Sequence, residues 1–138
     1  MATEKFLLTS EYEKVDDLIF SVKEFLAKEK VESHILSGID ICLTEALNNI
    51  IKHAYNGEQN HPIEVIVSKD SNILEMLLID EGKSRDNFII KELDYDPNDI
   101  ENLPESGMGL YLIKQLMDDL NYYSINGKNY FTLRKILY

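Results

Sequence analysis

Glu45, Asn49 and His53 recur at i, i+4 steps within Leu43-Thr-Glu-Ala-Leu-Asn-Asn-Ile-Ile-Lys-His-Ala-Tyr55, a spacing that stacks three polar side chains on one face of a helix. A carboxylate one turn from an amide suits a site for a hard divalent cation, which takes oxygen ligands and gains one from Asn without added charge. Glu45 then has the reach to orient or deprotonate an attacking hydroxyl or water. The same edge also describes the solvated side of an amphipathic helix. Two further clusters bear on the choice. Asp80-Glu81-Gly82 puts a carboxylate at the end of an apolar run, with a glycine beside it that permits close backbone approach, although turns use the same letters. Gly107-Met108-Gly109-Leu110 opens an apolar helical pattern, and free N–H groups at a helix start attract phosphate oxygens. Flexible helix entries share that pattern too.

These clusters must be positioned by the elements around them. Opposite the polar edge, Leu36, Ile39, Leu43, Ala46, Leu47, Ile50 and Ala54 follow the 3.6-residue period of a packed helix. A break near Val31–His34 precedes this helix and Asn56-Gly57 stops it. Upstream, residues 5–10 read as a short strand, and Ser10 with Glu13 forms a capping-box pattern for a helix over 11–30 that carries Val15, Leu18, Ile19, Val22, Phe25 and Leu26. Downstream, Ile63, Val65 and Val67 alternate, residues 69–72 turn, and a second run from Ile73 to Ile79 completes a hairpin. Residues 83–106 lose periodicity and gather Asp, Asn and Pro, the composition of a binding loop or lid. The helix opened by Gly107 places Leu110, Ile113, Leu116, Met117 and Leu120 on its apolar face, and a last hairpin turns at Asn126-Gly127 between residues 122–125 and 130–137.

A chain of 138 residues is expected to form one domain that buries roughly two thirds of its unfolded surface. With 44% hydrophobic and 28% charged residues, it is an ordinary globular composition. The N-terminus lacks a leader pattern, and no run approaches the ~18 apolar residues of a membrane span, so a cytoplasmic location with no membrane partner is the default. Cys42, the single cysteine, sits between Ile41 and Leu43 and reads as a buried, inert thiol. A net charge of −11 repels polyanions and argues against nucleic-acid binding. It also means that a nucleotide needs a local cation. His34 and His61 receive no role.

In order, the clusters are Glu-x-x-x-Asn on a helix, Asp-x-Gly after a hairpin, a loop, and Gly-x-Gly opening a helix. That order resembles the GHKL ATPase superfamily, and within it the stand-alone anti-sigma-factor serine kinases of bacterial partner switching. Its most specific parts are residues 44–55 and Leu103-Pro-Glu-Ser-Gly-Met-Gly-Leu-Tyr-Leu-Ile-Lys-Gln-Leu-Met-Asp118. The resemblance implies a single histidine-kinase-like ATPase domain over 1–138. It implies an α/β two-layer sandwich (Bergerat fold), with a mixed, mainly antiparallel sheet covered on one face by helices and with an ATP lid.

It further implies ATP and Mg²⁺ as cofactors, Asn49 as the metal ligand and Glu45 as the general base. Asp80 would accept from the adenine amino group, Gly82 would let the base lie close, and Gly107, Met108, Gly109 and Leu110 would form the phosphate-binding helix entry. His53 would line the pocket. Two departures stand out: Ser84 occupies a place where many relatives carry a second glycine, and the loop is acidic, with Glu105 where a cation would aid phosphoryl transfer. The implied function is an ATP-dependent protein serine/threonine kinase acting as an anti-sigma factor, with a sigma factor and a STAS-type anti-anti-sigma protein as partners and a homodimer as assembly. An alternative is a nucleotide-gated binding module without kinase activity. A third reading, the detached catalytic domain of a histidine kinase, ranks below both.

Overall fold

The computed structural model describes residues 1–85 and 107–137. Among them the chain runs β1 (Ala2–Thr9), a 3-10 turn (Tyr12–Lys14), α1 (Val15–Lys28), α2 (Ser33–Asn49), a π-helical turn (Ile50–Ala54), β2 (Pro62–Lys69), β3 (Ile73–Asp80), α3 (Gly107–Leu116), β4 (Asp119–Ile125) and β5 (Lys128–Ile136). The strands form one sheet in the order β1-β2-β3-β5-β4. Every pairing is antiparallel, where mixed, mainly antiparallel pairing was expected. The helices lie on one face, which gives the two-layer α/β sandwich.

Alternation along the strands decides which side chains meet the helices. In β2 these are Ile63, Val65 and Val67, and in β3 they are Leu74, Met76 and Leu78, all buried. They pack against Ile39, Leu43, Ala46 and Leu47 of α2, with Val22 and Leu26 of α1 and Ile113 of α3 closing the same core. Asp80 continues the inward series of β3, and its register partner on β5, Asn129, continues the inward series of Phe131 and Leu133. Pairing register thus carries two polar side chains to the sheet's inner rim.

Two local expectations fail, each for a physical reason. Ser10 does not cap the first helix. It is buried, its hydroxyl donates to the Glu58 carbonyl at 2.6 Å, and it accepts from the His61 amide at 3.1 Å, so it ties down the loop after α2 instead. Leu120 does not extend α3. The last helical bond runs from the Met117 amide to Ile113, after which the Asp118 amide donates to the Arg134 carbonyl and starts β4, so Leu120 packs on the core from a strand. The closing turn agrees with the sequence: Asn126 and Gly127 both take positive φ, 53° and 79°, which a two-residue hairpin connection requires.

Candidate functional site

Asp80 is 4% exposed and Asn129 2%. The Asn129 amide donates to Asp80 Oδ1 at 2.7 Å and to the Gly82 carbonyl at 3.0 Å, and the Gly82 amide donates to the same Oδ1 at 2.9 Å. Ser124 Oγ in turn donates to Asn129 Oδ1 at 2.6 Å. These bonds fix the plane of the carboxylate and commit Oδ1. Burial raises the Asp80 pKa above its ordinary value, against the lowering effect of the Asn129 and Gly82 donors. A carboxylate held this way accepts from a donor such as an exocyclic amine.

The chain leaving Asp80 is bound to the end of α2. A Cβ at Gly82 would run into the backbone carbonyl oxygen of Ala54 and come within 2.8 Å of its Cβ, so only glycine allows this approach. The Lys83 amide donates to the Ala54 carbonyl at 2.8 Å. Tyr55 joins the same corner: its hydroxyl donates to the Pro62 carbonyl at 2.6 Å and accepts from the Glu81 amide at 2.7 Å. Burial pushes its phenol up to about 12, which keeps it a donor. The bonds from Tyr55 to Ile50 and from Gly57 to Ile51 widen the last turn of the helix, a deviation frequent at functional sites. It opens directly after Asn49.

Asn49, Ile50, Ala54, Asp80, Lys83, Arg85, Tyr122 and Phe131 line one cleft. Two sequence-selected groups therefore line it together, the helix amide Asn49 and the strand-end carboxylate Asp80, and Gly82 is bonded to the latter. Arg85 reaches across to them, its Nη1 donating to Asn49 Oδ1 at 3.1 Å while its own amide donates to the Tyr122 hydroxyl at 3.1 Å. On the far side, Glu45 abuts α3: a Cβ on Gly109 would clash with Glu45 Oε2 and stand 3.2 Å from its Cδ. Leu110, beside it, is buried in the core. His53 is half-buried in the widened turn and is not among the residues lining this cleft. Gly107 and Met108 form the first turn of α3. The loop carrying Glu105 lies outside the described residues. Cys42 is fully buried, and burial pushes its thiol up to about 12, so it is inert as expected.

Asn129, Tyr55, Tyr122 and Arg85 were not selected from the sequence. The one usable signal was Asn126-Gly127, whose two-residue turn sets Ser124 opposite Asn129; the pairing of Asn129 with Asp80 lies between β3 and β5, which no short turn joins.

A helix-covered antiparallel sheet, with an anchored carboxylate at the inner strand end and a Glu/Asn helix facing a glycine-opened helix, is the α/β architecture of GHKL-type ATPases. The family model described as the histidine kinase-like ATPase domain matches residues 8–135, and the chain belongs to that family. Among curated proteins it is similar to the serine-protein kinase RsbW of Bacillus cereus (strain AH820), 40% identical over 88 residues, which is 62% of this chain and 54% of that protein. The RsbW of Bacillus anthracis (strain A0248) matches to the same extent. The chain spans about half the length of these relatives. A chain in the crystal structure of the SiaB-SiaC complex from Pseudomonas aeruginosa shares the fold, with a TM-score of 0.57 and 15% identity, over 95% of this chain and 89% of that one.

Proposed function

We propose that this single ATPase domain is an ATP-dependent protein serine/threonine kinase that acts as an anti-sigma factor, with a small STAS-type anti-anti-sigma protein as its phosphoryl acceptor. The observation that carries this is the meeting of Asp80 and Asn49 in one cleft, with Glu45 held against Gly109 at the opening turn of α3. Similarity to kinases named RsbW supports the substrate class and the partners.

Each residue has a role that its surroundings suit. Asp80 Oδ2 accepts from the adenine amine while Asn129 and Gly82 hold Oδ1. Gly82 keeps the base against the backbone, and the backbone of Gly107, Met108, Gly109 and Leu110 faces the phosphates. Asn49 would ligate the divalent cation, a reading supported by its Oδ1 accepting from a positive group, the Arg85 guanidinium. Among the described residues no three His, Cys, Asp or Glu side chains converge on a metal site. Mg²⁺ at such a site would be held by one or two protein oxygens, Asn49 among them, with the remaining oxygens from the ligand. A divalent cation held there would supply charge neutralisation for phosphoryl transfer. Glu45, one helical turn from Asn49, orients the acceptor hydroxyl and takes its proton.

The assembly we favour is a cytoplasmic homodimer through β1. This edge strand has β2 as its neighbour on one side, and its Leu7 is 69% exposed, an edge that natural sheets cover. Among the described residues no helix is long and apolar enough to cross a membrane. Sedimentation showing only monomer at high concentration would remove the dimer.

The deciding experiment is recovery of tagged protein from its native cell in Mg-ATP, comparing wild type with Glu45→Ala by phosphosite mass spectrometry of the co-purifying proteins. Phosphoserine or phosphothreonine on a small STAS-like partner, seen with wild type alone, is the expected result. Equal partner recovery with no phosphorylation in either sample replaces the kinase by a nucleotide-gated binding module.

A further inference from the structure

Arg85 has no role in the function described so far, yet it lines the cleft beside Asn49. Its backbone is anchored on the Tyr122 hydroxyl and that of Lys83 on the Ala54 carbonyl, so the segment crosses the cleft wall on a fixed path. From there the guanidinium reaches the amide oxygen of Asn49 at 3.1 Å, the atom assigned above to the divalent cation. Arg85 and Lys83 are the cations lining this cleft among the described residues, in a chain whose net charge is −11. A polyphosphate entering such a field needs fixed positive charge close by. Guanidinium is always protonated and presents several donors in a planar fork that matches phosphate oxygens.

We infer that Arg85 is a phosphate-binding residue that also serves as the resident cation of the Asn49 site, holding the amide oxygen without a metal and turning to the nucleotide phosphates when a divalent cation is bound. This rests on the nucleotide reading of the cleft and adds to it a residue and a rule: Arg85 and the metal compete for one oxygen and can substitute for one another. Two cations at one acceptor repel, so the guanidinium leaves Asn49 Oδ1 as the metal arrives. Its anchored backbone keeps it within the same cleft. Without the metal it remains the main compensating charge.

The test is calorimetric titration of the full chain with ADP, in saturating Mg²⁺ and in EDTA, for wild type, Arg85→Gln and Arg85→Lys. Removing Mg²⁺ should weaken ADP binding about tenfold more in Arg85→Gln than in wild type, since a charge-assisted hydrogen bond is lost with nothing in its place. Arg85→Lys should recover most of that difference. The same Mg²⁺ dependence in all three proteins overturns the inference and leaves the nucleotide site standing. So does tighter metal-free binding by Arg85→Gln, which would make Arg85 merely an obstruction. Failure of wild type to bind ADP even in Mg²⁺ overturns the nucleotide reading itself. Thermal melting of each variant shows that it is folded; should Arg85→Gln not fold, Arg85→Met takes its place with the same expected and overturning results.

Discussion

Replacing Asp80 by Asn should separate ligand recognition from stability, moving them in opposite directions. The amide is nearly isosteric and keeps its oxygen where Asn129 and Gly82 now donate to Oδ1, at 2.7 and 2.9 Å. Those contacts survive, and an N–H group takes the place of Oδ2. Toward adenine, an acceptor becomes a donor that faces a donor. Loss of a charge-assisted bond costs about 1.5–3 kcal/mol, and an unsatisfied buried donor about 1–3 kcal/mol more. ADP affinity should therefore fall by at least about a hundredfold, at about 1.4 kcal/mol per tenfold.

Stability without nucleotide should rise instead. Burial raises the Asp80 pKa in the folded state, so the native protein holds that proton more tightly than the unfolded chain does, and ionisation at neutral pH opposes folding. Asp80's contribution is fully present below its unfolded pKa near 3.8 and is lost as pH rises through the higher folded value. Asn does not titrate. The variant should melt level with wild type at the acid end of that window and above it at pH 7, by about 1.4 kcal/mol for each unit by which burial raises the pKa. Calorimetric ADP titration at pH 7 and nucleotide-free thermal melts from pH 4 to 8 measure both. Binding within threefold of wild type, or a stability difference that does not vary with pH, refutes the reasoning.

Gly109→Ala should push the Glu45 carboxylate aside, since the new methyl meets the flexible end of that side chain; phosphoryl transfer to the co-purified partner should drop at least about tenfold with melting changed by less than about 2 kcal/mol, and unchanged transfer would detach Glu45 from catalysis. Tyr55→Phe strips a hydroxyl that satisfies the Pro62 carbonyl and the Glu81 amide, and should cost about 1–3 kcal/mol in chemical denaturation; no loss would show that water replaces it.

The elements that position this site were legible because their signals are local. The apolar stripe from Ile39 to Ile50 repeats every helical turn, and the alternation of Ile63, Val65 and Val67 with the apolar run Ile73–Ile79 marked the hairpin that places Asp80 at a strand end. What escaped was the set of partners. Asn129 acts on Asp80 across 49 positions, Arg85 on Asn49 across 36, and Tyr55 on Glu81 across 26, and no periodicity encodes such meetings. Ser10 shows the same limit in reverse, since a valid local capping pattern lost its hydroxyl to a loop 48 residues away. His53 was selected on an unbroken helix, whereas a π-helical turn begins between it and Asn49.

The weld between the end of α2 and the chain after β3, made by Gly82, Lys83, Ala54 and Tyr55, has a thermodynamic corollary. On the proposed reading, an adenine docked there would meet the same frame whatever follows its ribose, so the base would contribute equally to holding a di- or triphosphate. Equal affinity for two states cannot shift a balance between them. Any response to the ratio of ATP to ADP would on that reading originate away from the weld, among the groups near Asn49, Arg85 and Gly109, and base recognition would supply occupancy without information.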